Sequence, residues 1–323
     1  MNKTELIDVE YQGHPQAIAS CLLESDGQMA LVDPGPSASL PVLRDKLRGL
    51  GVEIADLHAL LLTHIHLDHA GATGTLLREN PRLRVYVHES GARHLADPSK
   101  LLASATRLYG GAMDRLFGEL LPVPAENIEV LRGGEEIRLG GRRFSVLYTP
   151  GHASHHVTYF EEAAGHAFVG DTSGIRIEGH SFVLPVTPPP DIDLELWHQS
   201  MDLILSLHPS RLFLTHFGWS EHPAEHFDEL RERLLRWAAH IRDGLSLESN
   251  KDGADARRAK KFSAWAAEEL SRSLSAEESR RYVSTGGLDL SWLGLTRYWR
   301  KRGDAPVPSA IASRAGDVNT ATE

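Results

Sequence analysis

The sequence predicts an α+β protein, a four-layer αβ/βα sandwich of mixed strands and helices that is followed by a helical C-terminal extension. Short apolar runs alternate with helical repeats over the first 220 residues, in an order that fits such a sandwich. Beyond residue 220 the chain changes to charged helical sequence. With 323 residues, 41% of them apolar, the chain is long enough to bury a sizeable core.

The first half of the predicted sandwich opens with a hairpin, because an Asp26-Gly27 turn signal separates two apolar runs. The leucines that follow the hairpin have the spacing of a helix. The next helix and strands are likewise predicted from the spacing of their apolar residues. The predicted elements are strands at residues 17–24 and 28–32, a helix at 41–50, a strand at 57–62, a helix at 70–79 and a strand at 83–87.

The second half continues with short strands and then a helix. Its predicted elements are a hairpin at residues 137–148, strands at 157–160 and 167–169, and a helix at 194–205. Three consecutive prolines at 188–190 hold the segment 182–191 in an extended path, after which Asp191 or Asp193 can cap the helix. This segment is either a rigid strap beside the site or a simple connector.

The predicted organisation has three parts: a sandwich domain at residues 1–220, a helical extension at 221–302 and a disordered tail at 303–323. The end of the extension is too apolar for a free surface helix, so we expect it to pack on the sandwich or on a second subunit. In the second case the chain forms a homodimer through its C-terminal helices. The residues concerned are Leu288, Leu290, Trp292, Leu293, Leu295, Tyr298 and Trp299.

An insertion at residues 91–124 exceeds what the sandwich needs. Its sequence looks helical and is interrupted by Gly110-Gly111, a plausible hinge. Insertions of this length tend to be functional, so we expect a lid that forms a wall of the substrate pocket. Met113, Leu116 and Phe117 are the candidate pocket residues, and packing between helices is the alternative role of each.

The segment 63–69 carries four metal-capable side chains directly after the apolar run 60–62. His64 and His66 leave one face of the strand end, and the following turn brings Asp68 and His69 to a neighbouring point. Imidazole and carboxylate together suit zinc, iron or manganese, and the absence of a thiolate argues against a closed structural zinc site. The segment therefore predicts two metal ions close together.

Further ligands follow three later strand-like runs. His152 comes after the run 144–148, Asp171 after 167–169 and His216 after 212–214. Each is a polar ligand type at the C-terminal end of a strand, where sheet proteins gather their sites. Any one of them alone would be weak evidence, but together with the segment 63–69 they indicate one shared site.

The motifs HIHLDH, PGH, GDT and LTH together resemble the metallo-β-lactamase superfamily of metal-dependent hydrolases, over about residues 15–220. The resemblance implies that His64, His66 and His152 hold one metal and that Asp68, His69 and His216 hold the other. It also implies that Asp171 bridges both ions. Asp33 is similar to the aspartate that orients the ligand loop in this family, and His156 to a histidine that lies behind the ligands.

Two divalent ions would supply a metal-bound hydroxide near neutral pH and polarise the oxygen under attack. Zinc is the expected metal, and iron or manganese are the alternatives. Asp68 lies close enough to the shared water in such a site to relay a proton to the leaving group. We therefore expect a small-molecule ester, lactone or thioester as the substrate.

Comparison with individual branches leaves the substrate open. Acyl-homoserine lactonases carry a tyrosine shortly after the bridging aspartate, where this chain has Thr172-Ser173-Gly174. The basic glutathione-binding residues of glyoxalase II enzymes have no counterpart that we find. The leading rival is an oxidoreductase resembling a persulfide dioxygenase, with a single iron held by His64, His152 and Asp171.

Composition and charge restrict the binding partners and the cellular location that we expect for the chain. A net charge of −10 makes a general nucleic-acid surface unfavourable, since phosphate binding draws on excess Lys and Arg. The single cysteine, Cys21, cannot form an internal disulfide, and residues 1–13 lack the apolar region of a signal peptide. No stretch approaches the roughly 18 apolar residues that span a bilayer. We expect a cytoplasmic enzyme with no membrane or nucleic-acid partner.

Overall fold

The computed structural model of the chain describes residues 2–177, 179, 182–246 and 254–303. Within that part, twelve strands form two six-stranded sheets. The first sheet has its strands in chain order; its first three strands are antiparallel and the next three run parallel to the third. These strands are β1 (Lys3–Asp8), β2 (Ala19–Ser25), β3 (Gln28–Val32), β4 (Ala59–Leu61), β5 (Arg84–His88) and β6 (Ile128–Leu131).

The second sheet is also ordered along the chain, and its strands are antiparallel except for one parallel pair, β10 with β11. Its strands are β7 (Glu136–Leu139), β8 (Arg142–Tyr148), β9 (Val157–Glu161), β10 (His166–Phe168), β11 (Arg211–Leu214) and β12 (Gly218–Ser220). The sequence patterns had indicated the runs of both hairpins, but β1, β6 and β12 were not predicted.

Eleven helices of the α type accompany the sheets in the described part of the chain. They are α1 (Leu40–Gly49), α2 (Leu67–Ala70), α3 (Thr73–Glu79), α4 (Glu89–Ala96), α5 (Ser99–Tyr109), α6 (Met113–Phe117), α7 (Leu194–Ser206), α8 (Pro223–Ser246), α9 (Ala254–Ser273), α10 (Ala276–Gly286) and α11 (Leu288–Arg302). The helix predicted at residues 70–79 is two helices, α2 and α3, separated at Gly71. Residues 118–124 of the predicted helical insertion are not helical.

The alternation of strand side chains explains the four layers. In β2, Cys21 and Leu23 point into a core between the two sheets, whereas Leu22 points to the opposite face. That opposite face packs against α1, α3 and α4. The outer face of the second sheet packs against α7 and the C-terminal helices. The predicted four-layer sandwich with a helical extension is confirmed.

The C-terminal helices share one continuous apolar core with the sandwich. Trp237 of α8 and Trp292 of α11 belong to the same buried cluster as Leu212 and Leu214 of β11. In α11, Trp299 donates its indole N–H to the carbonyl oxygen of Ala238, 2.8 Å away. The apolar end of the chain was expected to pack on the sandwich or on a second subunit. In the described helices it packs on the sandwich of its own chain.

Gly294 of α11 lies against the proline strap, the extended segment 182–191. A Cβ atom at Gly294 would come within 1.9 Å of the carbonyl oxygen of Thr187, so only glycine permits this approach. After the strap, Asp193 caps α7 by accepting a hydrogen bond from the backbone N–H of Leu196. Asp193, one of the two predicted candidates, is thus the cap.

No helix among the described residues is long and apolar enough to cross a membrane. The tail predicted at residues 303–323 lies outside the described residues except for Gly303. His180 also lies outside them.

Candidate metal centre

The site lies where several strands end at one edge of the paired sheets. The segment 63–69 leaves β4 and enters α2, while Asp33 follows β3. His152 lies between β8 and β9, Asp171 follows β10, and His216 follows β11. The segments that the sequence predicted to share a site are therefore brought together by the two sheets.

The first group of side chains consists of His64, His66, His152 and Asp171, whose ligand atoms lie within 4.8 Å of one another. His66 Nδ1 lies 2.9 Å from His64 Nε2 and 3.0 Å from His152 Nε2. Asp171 Oδ2 lies 3.4 Å from His152 Nε2 and 3.9 Å from His64 Nε2. Ligand atoms about 2.1 Å from a tetrahedral ion are roughly 3.4 Å apart, so these spacings fit one metal ion.

The second group consists of Asp68, His69 and His216. Asp68 Oδ2 lies 3.3 Å from His216 Nε2 and 3.8 Å from His69 Nε2. The other oxygen of Asp171, Oδ1, lies 3.1 Å from His69 Nε2 and 3.6 Å from His216 Nε2. The two carboxylate oxygens of Asp171 thus face different groups.

Two buried atoms at the point where the two groups meet lack a hydrogen-bond partner among the described residues. Asp171 Oδ1 and His69 Nε2 are close to each other, yet neither makes a hydrogen bond of acceptable geometry. An unsatisfied buried polar atom is unfavourable, and a cation between the two groups would satisfy both atoms. The donor set therefore fits the divalent metal ions that the sequence predicted.

Hydrogen bonds on the far side of the His152 and His216 rings fix which nitrogen of each ring faces the site. His152 Nδ1 donates to the carbonyl oxygen of Val186, 2.8 Å away, and His216 Nδ1 donates to that of Ala17, 2.7 Å away. Both rings therefore present Nε2 to the site. His66 instead presents Nδ1. Outer bonds of this kind orient metal ligands and set their tautomers.

Asp33 anchors the ligand loop from a fully buried position with a left-handed backbone conformation, φ 46°. Its Oδ1 accepts the backbone N–H of Thr63 at 2.8 Å. Its Oδ2 is 2.7 Å from Thr63 Oγ1, 2.8 Å from Thr215 Oγ1 and 2.9 Å from His69 Nδ1. One carboxylate thereby ties together the ends of β3, β4 and β11.

His156 lies behind the first group, as the resemblance implied. Its ring stacks on His64 at a centroid distance of 5.1 Å, and its Nδ1 lies 2.9 Å from Thr149 Oγ1 and 3.3 Å from Thr172 Oγ1. His88 has a different environment: its ring stacks on Tyr148 and accepts the backbone N–H of Ser90 at the start of α4. We infer a structural role for His88.

The charges of the site differ between its two groups. Burial, followed by the imidazoles of His69 and His66, holds the pKa of His64 well below its usual range. Burial and then His152 lower the pKa of His66 to about 4. Burial opposes ionisation of Asp68, but His69 and His216 outweigh it and lower the pKa to about 2. Burial opposes protonation of His69 and His216, but Asp171 outweighs it and raises the pKa of both imidazoles. Metals bind neutral imidazole, so a cation at the second group would displace these protons.

A cavity of about 770 Å³ opens onto the site. His66, Asp68, Asp171 and His216 lie on its floor. Its walls come from the insertion, the proline strap and the turn between α10 and α11. The wall residues include Leu101, Ala105, Leu108, Leu116, Phe117, Val186, Pro188, Thr285, Asp289 and Leu290.

Two of the three predicted pocket residues line the cavity, and one does not. Leu116 and Phe117 are lining residues. Met113 belongs to the same helix, α6, but packs against the small apolar cluster around Leu67, Ala105 and Phe117 without lining the cavity. The alternative role in helix packing is therefore the one that fits Met113.

Sequence reasoning missed several residues that line this cavity. Tyr11 and Tyr109 come from distant parts of the chain, and Asp68 is close enough to raise the pKa of both phenols after burial. His155 also lines the cavity, with its ring 5.5 Å from that of His66. A tyrosine beside no other functional residue gives no local signal. The HH pair at 155–156 was visible, but the sequence does not show which ring faces the cavity.

Comparison with known proteins shows the family of the chain. A model of the metallo-beta-lactamase superfamily matches residues 15–216. The metallo-beta-lactamase fold-containing protein ST1585 of Sulfurisphaera tokodaii is 31% identical over 179 residues, which are 53% of this chain and 66% of the relative. A hydroxyacylglutathione hydrolase of Synechococcus sp. (strain JA-2-3B'a(2-13)) is 34% identical over 143 residues, 44% of this chain and 43% of the relative.

A solved structure extends the likeness in fold. The metallo-beta-lactamase family protein TTHA1429 of Thermus thermophilus superposes with a TM-score of 0.66, at 23% identity, and 94% of each chain is covered. At this identity the superposition shows the fold alone.

The fold and the cluster of histidines and aspartates define a class of α+β protein with metal-capable side chains at one edge of its sheets. The chain belongs to the metallo-beta-lactamase superfamily. It spans less than half the length of the hydroxyacylglutathione hydrolase that it matches, so its own substrate is a matter for proposal.

Proposed function

We propose that the chain is a dinuclear hydrolase that cleaves a small ester, thioester or lactone. The observation that carries this proposal is the orientation of Asp171, whose Oδ2 faces the first group and whose Oδ1 faces the second. A carboxylate placed in this way suits a bridge between two ions. Zinc is the proposed metal, because the donors are imidazole and carboxylate with no thiolate, and iron and manganese are the alternatives.

Two bound ions would supply an activated water and polarise the carbonyl oxygen of the substrate. Around them, His64, His66 and His152 hold one side of the site, and Asp68, His69 and His216 hold the other. Asp33 fixes the orientation of His69 through the bond to Nδ1. Such hydrogen bonds to the metal-ligating side chains hold them in place before the substrate binds.

Asp68 is the proposed proton carrier. It has access to the cavity, since 29% of its side chain is exposed while His69 is fully buried. An ionised carboxylate on the cavity floor can take a proton from water and pass it to the leaving group. The other carboxylate of the site, Asp171, is buried and faces both groups, which suits it to holding metal.

The cavity favours an organic acyl substrate over a polymer. Its walls combine leucine, phenylalanine and proline side chains with a few polar groups, as in sites for small molecules. The overall charge of −10 disfavours nucleic acid. We propose a small-molecule substrate and, from the single buried Cys21, a cytoplasmic location.

The test is a substrate panel assayed with apo protein and with protein reloaded with zinc, iron or manganese. We expect hydrolysis of thioesters, aryl esters or lactones that chelation abolishes and metal restores. Asp68→Asn should lower kcat about 100-fold or more, whereas Asp26→Asn, in the exposed β2–β3 turn, should leave it unchanged. Turnover of phosphodiesters alone, or oxygen consumption with a persulfide, would contradict the proposal.

A further inference from the structure

One corner of the cavity is lined by polar and cationic side chains of the insertion. Ser90, Arg93 and His94 lie at positions i, i+3 and i+4 of α4, so they share one face of that helix. Lys100, in the first turn of α5, lines the same cavity. The cavity-facing side of α4 is thus hydrophilic.

The cations of this corner have no ion pair within the described part of the chain. The Nε of Arg93 donates to His94 Nε2 at 3.3 Å, and no other contact of the guanidinium is found. Burial and then the charges of Arg93 and Lys100 lower the pKa of His94, which places the three groups near one another. His94 therefore acts as a neutral acceptor that orients Arg93.

Two acidic residues, Asp97 and Asp191, act on His94 in this corner. Asp97 Oδ1 already accepts the backbone N–H of Ser99 at 3.1 Å. The other acidic residue is Asp191. It comes from the proline strap, and its Oδ2 already accepts a hydrogen bond from Ser154 Oγ at 2.6 Å. Asp191 and Asp97 each raise the pKa of His94 less than Arg93 and Lys100 each lower it. The balance of charge beside His94 is therefore positive.

The packing of α4 fixes this corner relative to the metal centre. A Cβ atom at Gly91 would lie 2.7 Å from Ile65 Cγ2 and 3.5 Å from the Cβ of His155, so the helix rests directly on the metal-binding segments. Because α4 cannot move without disturbing Ile65 and His155, the helix backbone that carries Arg93 and His94 keeps a constant position relative to the metal-binding segments.

The neighbouring wall of the cavity is apolar. Leu101, Ala105 and Leu108 line it at helical spacing along α5. A ligand that fills the cavity therefore meets metal ligands at the floor, an apolar wall, and unpaired cations at one corner. In a protein of net charge −10 such a corner is a local exception.

We propose that Arg93 and Lys100, with His94 orienting Arg93, bind an anionic group of the substrate, a carboxylate or a phosphate. The inference rests on the proposed hydrolase function and adds the substrate class: an acyl compound with a negative charge remote from the bond that is cleaved. Arginine and lysine form charge-assisted hydrogen bonds with such groups. Each bond of this kind changes affinity by about 10-fold or more.

The test uses two pairs of substrates that differ only in the anionic group. In mono-4-nitrophenyl glutarate a carboxylate replaces the terminal methyl of 4-nitrophenyl pentanoate, and acetyl-4′-phosphopantetheine carries a phosphate that acetyl-pantetheine lacks. The ratio of kcat/KM within each pair is measured for the wild type, for the double variant Arg93→Gln/Lys100→Gln, and for Arg107→Gln. Arg107 is the matched control, because it is exposed on α5 and does not line the cavity.

We expect the wild type and Arg107→Gln to prefer the anionic member of at least one pair by about 10-fold or more. The double variant should lose that preference. A preference for the glutarate would place the anion on the acyl group, and one for the phosphate would place it on the leaving group. Equal rates within both pairs, or a preference that survives in the double variant, would overturn the inference while leaving the hydrolase function intact.

Calorimetric titration with free glutarate and free pentanoate, and with 4′-phosphopantetheine and pantetheine, provides a readout that does not need turnover. Tighter binding of the anion in at least one pair, lost in the double variant, supports the site. If none of the four substrates is hydrolysed, the titrations alone decide whether the anion site exists, and the wider substrate panel decides the proposed function. Equal binding within both pairs would overturn it.

Discussion

At the scale of single residues, Asp33 shows how one buried side chain organises the centre. Its Oδ2 faces three donors, on Thr63, His69 and Thr215. The sequence indicated Asp33 through a family resemblance, and the structure explains why a carboxylate is needed there. None of its partners could be read from the run Leu31-Val32-Asp33, because Thr63 and Thr215 lie far away along the chain.

Replacing Asp33 with Asn should weaken metal binding about 10- to 100-fold. The amide would place an N–H group against donors, or lose one of the bonds that hold His69. Competition with a chelator of known affinity measures the dissociation constants, and Asp26→Asn in the exposed β2–β3 turn is the control. Unchanged affinity in Asp33→Asn would mean that the ligand loop holds its shape without this carboxylate.

The same scale shows what the sequence can and cannot predict about the site. Ligands within the segment 63–69 are predictable because local spacing places them together. Tyr11 and Tyr109 are not, because they meet Asp68 only through tertiary contacts across the cavity. Met113 was predicted for the pocket from its apolar character, which a residue that packs between helices shares.

At the scale of elements, the insertion works as a wall anchored at several points. Gln12 and Arg115 exchange hydrogen bonds of 2.7 and 2.6 Å, which tie α6 to the loop that carries Tyr11. The backbone of Gly118 passes against Ala38. Substrate preference should therefore depend on individual side chains of the insertion.

Leu116→Ala should lower kcat/KM for long acyl esters about tenfold relative to short ones, because it removes apolar contact area from the cavity wall. Met113→Ala is the matched control, since Met113 belongs to the same helix and the same cluster without lining the cavity. The ratio of the two rates should stay constant in Met113→Ala. A constant ratio in Leu116→Ala as well would place specificity elsewhere, in the strap or the C-terminal helices.

Helix α8 is joined to the sandwich by His226, which donates from Nε2 to the carbonyl oxygen of Ser173 at 2.8 Å. Burial lowers the pKa of His226 to about 4. Between pH 6.5 and 4 the unfolded chain binds a proton at this residue that the folded chain does not. The free energy of unfolding should therefore fall as the pH decreases through this window.

His226→Gln should reduce that loss by about 2 kcal/mol at pH 5 relative to pH 7, since Gln keeps a donor for Ser173 but takes up no proton. Urea denaturation at both pH values measures the difference, with His222→Gln on the exposed turn as the control. An equal pH dependence in wild type and His226→Gln would show that folding does not lower the pKa of His226.

At the scale of the whole molecule, the extension completes both the core and the cavity. Its helices share a buried cluster with β11, and the turn between α10 and α11 closes one side of the cavity. The boundary at residue 220 remains our proposal for the domain organisation, and a homodimer remains a prediction that sedimentation can test. Amphipathic periodicity revealed the extension helices, but not that they would form a cavity wall.

A chain that ends at Ser220 should fail to fold stably, because it would expose the apolar face that packs on α8 and α11. Removing only residues 304–323 is the control and should leave the transition temperature unchanged. Circular dichroism during heating measures both. A cooperative transition at the wild-type temperature in the shorter chain would show that the sandwich is stable alone.

The most direct test of the dinuclear site is the number of metal ions bound per chain. Purified protein is stripped with a chelator, reloaded with excess zinc, iron or manganese, desalted and measured by elemental analysis. We expect two ions per chain in the wild type. In Asp171→Ala we expect weaker binding of both ions, since Asp171 faces both groups. His155→Ala should retain two. A single ion per wild-type chain under all loading conditions, or two ions held as tightly in Asp171→Ala, would contradict the bridging role of Asp171.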